Sequence, residues 1–132
     1  MPELWDFEGS WQVSRWIKDA LIGQSGNFEG LAEFKRDELG LRYIERGILK
    51  LGAASMQAER CYLWRVADKG IEVQFEDRRA FHHIDQSAEA AHWCDPDQYN
   101  VTYEFGEWPE WSSRWAVKGP RKDYEMVSNY RR

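Results

Sequence analysis

Hydrophobic and polar residues alternate with a period of two along most of this chain, the pattern of half-buried strands rather than amphipathic helices. From Gly9 onward Trp11, Val13, Arg15 and Ile17 share one face, and Gln12, Ser14, Trp16 and Lys18 share the other. The stretch from Asp19 to Gly26 interrupts the alternation with helical or lid-like character, and it is the place for one short helix. A second strand sets Phe28, Gly30, Ala32, Phe34 and Arg36 against Glu29, Leu31, Glu33 and Lys35.

The loops carry the parity forward. A four-residue hairpin loop keeps its two flanking residues on the same face. Asp37–Gly40 read this way continues the inward set through Leu41, Tyr43, Glu45, Gly47, Leu49 and Leu51. Gly52–Ser55 extends it through Met56, Ala58, Arg60, Tyr62, Trp64 and Val66, and Ala67–Gly70 through Ile71, Val73 and Phe75. If Glu76–Arg79 is a further such loop, His82 and Ile84 point in with Ala80, while Phe81 and His83 point out; a three-residue loop reverses that choice. Ser87–Cys94 suits either a helix or a strand, and as a strand it turns Ala90, His92 and Cys94 inward. Asp95-Pro96-Asp97-Gln98 is a turn, with proline at its second position. Beyond it Tyr99, Val101, Tyr103 and Phe105 face in, followed by Trp111, Ser113, Trp115 and Val117. After the turn at Lys118–Arg121, the last strand brings Lys122, Tyr124, Met126, Ser128, Tyr130 and Arg132 to the same face.

Eight to ten strands joined in sequence by short loops make an all-β, antiparallel, up-and-down meander with one aromatic and one charged face. No amphipathic helix is long enough to cover the aromatic face, so the sheet is expected to close on itself as a barrel. A single open sheet and a two-layer sandwich are the competing architectures. At 132 residues the chain forms one domain with a core of its own.

Composition narrows the classes. Aromatic residues reach 15%, with eight tryptophans, which implies few and large core side chains. A formal charge of -5 argues against a dedicated nucleic-acid binder, which would show a basic stripe. No apolar run approaches the ~20 residues of a membrane-spanning helix. The start, MPELWDFEGSW, lacks a signal pattern, so an intracellular, cytoplasmic protein is expected, with Cys61 and Cys94 as free thiols.

Two local features resemble the calycin superfamily, the small barrels that include lipocalins and fatty-acid-binding proteins. They are the Gly9-Ser10-Trp11 opening and the terminal Tyr130-Arg131-Arg132. The resemblance implies a last strand that pairs back with the first, and an arginine stacked on the tryptophan at the barrel base. The whole chain is similar to an uncharacterised bacterial family of short proteins. The matching elements are Trp11…Arg15, Tyr43-x-Glu45-x-Gly47, Arg60-x-Tyr62-x-Trp64, Phe81-His82, His92-x-Cys94-x-x-Asp97-x-Tyr99 and Gly119-Pro120-x-Lys122-Asp123-Tyr124.

The inward face is too polar for a fatty-acid cavity. It carries Arg15, Glu45, Arg60, Tyr62, Trp64, His82, His92, Tyr99, Tyr103 and Tyr124, and buried charges must meet each other, water or a ligand. Glu45 taking Arg15 or Arg60 makes a self-satisfied network. The other reading makes these ten residues a pocket for a small anionic ligand, gripped by arginine between flat aromatic walls. The same cavity could serve an enzyme of proton transfer, decarboxylation or isomerisation on an anionic aromatic substrate. His92, Cys94 and Asp97 fit no common zinc spacing, and the charged interior disfavours haem, so neither metal nor cofactor is expected. His92 and Cys94 lie roughly 7 Å apart along one strand face, long for a direct catalytic dyad. Trp16, Leu31, Ile44, Ile48 and Leu63 all take the outward parity, and such a patch predicts a homodimer.

Overall fold

The computed structural model describes residues 1–132. Ten antiparallel strands follow one another around a nearly closed barrel: β1 (Gly9–Asp19), β2 (Gln24–Arg36), β3 (Gly40–Leu51), β4 (Ala54–Ala67), β5 (Gly70–Phe75), β6 (Ala80–Ile84), β7 (Glu89–Cys94), β8 (Asp97–Glu104), β9 (Trp111–Gly119) and β10 (Lys122–Arg131). Every sequential pair is hydrogen-bonded except β6 and β7, and β10 pairs back with β1. The sheet buries one face because its side chains alternate, and closure hides that face without any covering helix. No helix is long and apolar enough to cross a membrane.

The hairpin parity holds through most of the circuit. Arg36 pairs with Leu41 across the Asp37–Gly40 loop. The next two loops are tighter than the four residues expected, since Leu51 pairs with Ala54 and Ala67 with Gly70. Removing one residue from each side of a loop preserves the face. Gly52 supplies the left-handed conformation (φ +59°) that the first of these two-residue turns demands. Near the strand ends the inward residues Met56 and Val66 nevertheless reach solvent.

Three expectations give way. The Asp19–Gly26 stretch forms no helix: β1 runs to Asp19, the chain turns, and β2 resumes at Gln24. Asp19 accepts hydrogen bonds from the Leu21 and Ile22 amides, so the side chain builds a turn. The one helical element is instead a single 3₁₀ turn, Leu4–Phe7, held by reciprocal capping between Glu3 and Asp6. Phe81, expected outside, points inward, and Ala80, expected inside, is exposed. Ala80 pairs with Gln74 and His82 with Val73, so Phe81 is an extra residue in a β-bulge, and it turns in beside His82. Leu63, expected on the outer patch, is buried between Arg42 and Gln74 in the sheet; long-stemmed neighbours of this kind cover apolar surface.

One end of the barrel is closed by rings. Phe7 enters it from the 3₁₀ turn and lies 5.0 to 5.9 Å from the rings of Phe34, Trp64, Phe105, Trp108 and Trp111. Trp111 stacks flat on Tyr130 at 3.8 Å. Trp11 donates its indole N–H to the Phe7 carbonyl, and the Arg132 guanidinium sits 4.0 Å over the Trp11 ring while donating to the Asp6 and Glu8 carbonyls. The first and last strands are thereby clamped together around the aromatic plug.

Candidate functional site

The ten polar and aromatic residues singled out above divide into two groups. Arg15, Glu45, Trp64, His82 and Tyr103 are buried, whereas Arg60, Tyr62, His92, Tyr99 and Tyr124 are partly exposed toward the end of the barrel opposite Trp11. That end is framed by the β1–β2, β3–β4, β5–β6, β7–β8 and β9–β10 turns.

The buried group is built around an ion pair. Arg15 on β1 meets the Glu45 carboxylate on β3 through both terminal nitrogens, at 2.6 and 2.9 Å, and donates its Nε to Ser128 on β10. Tyr43 donates to the same carboxylate at 2.6 Å and meets the Tyr130 hydroxyl at 2.9 Å. Burial alone would raise the Glu45 carboxyl, but the hydrogen bonds from Arg15 and Tyr43 hold it below the ordinary carboxylate range. Burial pushes the Tyr43 and Tyr103 hydroxyls well above the usual tyrosine value. The reach from β1 to β3 is possible because the intervening pair is Gly30 and Gly47. A Cβ on either would meet backbone oxygen at 2.2 to 2.3 Å and the Phe28 ring at 2.7 to 2.8 Å. Phe28 lies over this glycine gap, and Arg15 stacks on it at 5.0 Å. The Tyr43-x-Glu45-x-Gly47 pattern is therefore one device: an acceptor, its hydroxyl partner and the space for the ring beside them.

His82 completes the sealed part. Its Nε2 lies 2.8 Å from the Tyr103 hydroxyl, and its Nδ1 is buried without a partner. Burial, with the nearby His92 and His83, lowers its pKa to about 3, so the ring is neutral at physiological pH. Side chains fill this interior almost completely, leaving a cavity of about 20 Å³ bordered by Arg15, Glu45, Arg60, His82, Trp111 and Trp115 among others.

The open end has a different character. Across the β3–β4 ladder Arg60 is directly opposite Glu45, but that carboxylate is engaged by Arg15. Arg60 forms no ion pair and lies 5.6 Å over the Trp115 ring. Arg60 and Tyr62 border both the internal cavity and a surface hollow of about 510 Å³ that also includes Cys61, Phe75, Arg79 and the carboxylates of Glu76 and Asp77, which pair with Arg42 and Arg79. Tyr62 and Tyr124 have hydroxyls raised by burial, an effect opposed by the charge of Arg60. His92 pairs with Tyr99 across β7–β8, and its ring is 5.6 Å from Phe81. The two late sequence motifs meet here. Lys122 donates to the Tyr99 hydroxyl at 3.3 Å and pairs with Asp97 at 3.0 Å, while the Asp97 carboxylate lies over Gly119, where a Cβ would meet it at 2.0 Å. This contact ties the β7–β8 turn to the β9–β10 turn and raises the Lys122 pKa, chiefly through its bonds to Asp97 and Tyr99.

Sequence parity missed Phe81 as a wall of the site, because a bulge gives no periodic signal. Parity set Lys122 on the inward face and Asp97 was weighed only as a metal ligand, so their pairing across two turns was missed; the acid before Tyr99 and the lysine after Gly119-Pro120 were the available signal. Asp97 is committed to Lys122, and no group of three or more His, Cys, Asp or Glu side chains converges as a metal site.

No curated protein and no solved structure matches the chain. A model of a family of unknown function, DUF6314, matches residues 7–132, and the chain belongs to that family.

Proposed function

We propose that this protein binds a small anionic ligand with a flat aromatic body, and that the binding residues are those of the open end. The single observation that carries this reading is Arg60. It is the one inward-facing cation of the ten candidates left free of a carboxylate, set over Trp115 at the junction of the internal cavity and the outer hollow. An arginine in this setting presents a planar fork to a carboxylate or phosphate, with Tyr62, Trp115 and Tyr99 as flat walls. Arg15 and Glu45 serve this site indirectly, by neutralising each other and leaving Arg60 available. The receptor reading is favoured over catalysis because the hydrogen-bonded His82–Tyr103 pair lies behind Phe81, away from the mouth. The Trp11–Arg132 stack supports a relationship to calycin barrels, and the free Cys61 and Cys94 suit a reducing, cytoplasmic compartment.

The experiment is calorimetric titration with a panel of single-ring aromatic carboxylates and their neutral amides. The carboxylates should bind and the amides should not. Arg42→Ala, whose side chain pairs with Glu76 on the outer face, should leave carboxylate binding intact. Equal binding of acids and amides would overturn the anionic reading.

For the outer surface we propose a homodimer through β1, β2 and β3, where Trp16, Leu31 and Ile48 are exposed. With Ile44 half-buried and Leu63 buried, the apolar patch is narrower than the parity implied. A monomer mass by light scattering at tens of micromolar would exclude it.

A further inference from the structure

The break in the barrel's hydrogen bonding lies beside a ring enclosed by other rings, that of Phe81. β6 is five residues long, pairs with β5 at four positions with a register shift among them, and forms no ladder with β7. Moving β6 away from β7 thus breaks no sheet hydrogen bonds between them, and segments with few such bonds open at the least cost. Non-glycine residues in the left-handed conformation stand on both sides of it, Arg78 at φ +72° and Ala88 at φ +58°. β6 carries Phe81, which is only 1% exposed. Its ring lies 4.4 to 5.9 Å from those of His82, Phe75, Trp115, Tyr99, His92 and Tyr62. Phe81 also borders the cavity of about 20 Å³, as do Arg60 and His82. The aromatic walls of the open end therefore already enclose a phenyl ring, and that ring belongs to the strand least tied to the barrel.

We propose that Phe81 occupies the aromatic subsite of the ligand, and that β6 swings outward to withdraw it. The inference rests on the reading of the open end given above and deepens it. The ligand class becomes a single-ring aromatic monoanion. Its ring takes the slot between Tyr62, Trp115, Tyr99 and His92, and its anionic group meets Arg60. Phe81 is a positioned plug, not a binding residue, so its loss should speed entry where the loss of Arg60 weakens affinity.

Stopped-flow binding of anthranilate, read by energy transfer from tryptophan, tests this. In the wild type the observed rate should level off with rising anthranilate at the rate of β6 opening, and Phe81→Ala should raise that ceiling by roughly tenfold or more. Phe81→Tyr should keep it. Phe81→Leu carries the same test if the alanine variant does not fold. Rates that rise linearly and identically in wild type and Phe81→Ala would overturn the plug. If Arg60→Gln still weakens binding in that case, the open-end reading survives alone. If neither wild type nor Phe81→Ala binds anthranilate, both fall.

Discussion

The two ends of this barrel spend the same aromatic composition in opposite ways. At the Trp11 end, rings contact rings, the Arg132 guanidinium is stacked and hydrogen-bonded to carbonyls, Arg36 and Arg65 are paired with Glu8 and Asp37, and Phe7 fills the remaining space. At the Arg60 end, rings also surround a ring, but it comes from a strand paired on one side only, and the nearby cation has no counter-ion. Between them lies the Arg15–Glu45 pair, which separates the structural end from the candidate binding end. Similar side chains thus give stability where the rings pack on a ring of the closed end and the cation is hydrogen-bonded, and a capacity for binding where a cation is left without an ion pair.

The comparison can be broken most severely at the middle. Glu45→Ala leaves Arg15 buried without its carboxylate and should cost about 3–5 kcal/mol in denaturant unfolding. Changing Arg15 and Glu45 together to methionine should recover much of that loss, since two apolar side chains leave no unpaired charge. Trp11→Ala, at the closed end, should cost a similar ~3–5 kcal/mol through its cavity and the lost stack. Little change in the Trp11 variant would remove the account of the closed end, and little change in Glu45→Ala would remove that of the buried pair. Gly47→Ala should follow at about 1–3 kcal/mol, because the added methyl meets the Glu29 carbonyl and the Phe28 ring.

His82 predicts a pH dependence. Its pKa is near 6.5 in the unfolded chain and about 3 in the folded one, so the unfolded state binds the extra proton between those values. The stabilisation from burying the neutral ring is complete above pH ~6.5 and is lost progressively as pH falls toward 3, on the order of a few kcal/mol. Chemical denaturation of His82→Phe at a series of pH values should show a shallower slope across that window. An unchanged slope would mean that other groups carry the acid sensitivity. The smallest effects belong to the open end, where His92→Ala and Tyr124→Phe should each cost about 1 kcal/mol or less in stability, since both side chains are partly exposed.

Most of the barrel was legible in the sequence because hairpin loops that lose residues in pairs keep parity. A change from four residues to two, as at Gly52-Ala53, moved no side chain to the other face. The bulge at Phe81 adds a single residue, which does flip parity, and no residue type announces it. The sequence named Arg15 and Arg60 as candidate partners of Glu45, but the choice between them was illegible for another reason. Arg60 is its neighbour in the ladder, yet Arg15, two strands away, reaches it across a glycine gap whose purpose appears only when three strands are side by side. The plug at the closed end was missed because a four-residue 3₁₀ turn is too short to show a period.

The central claim is that Arg60 is free for a ligand while its neighbours are committed to the fold. Calorimetric titration of Arg60→Ala with anthranilate, alongside its denaturant unfolding, tests this most directly. Stability should change by less than about 1 kcal/mol, as for a surface side chain, and affinity should fall roughly tenfold or more. A folded Arg60→Ala protein that binds anthranilate as tightly as the wild type would contradict the claim.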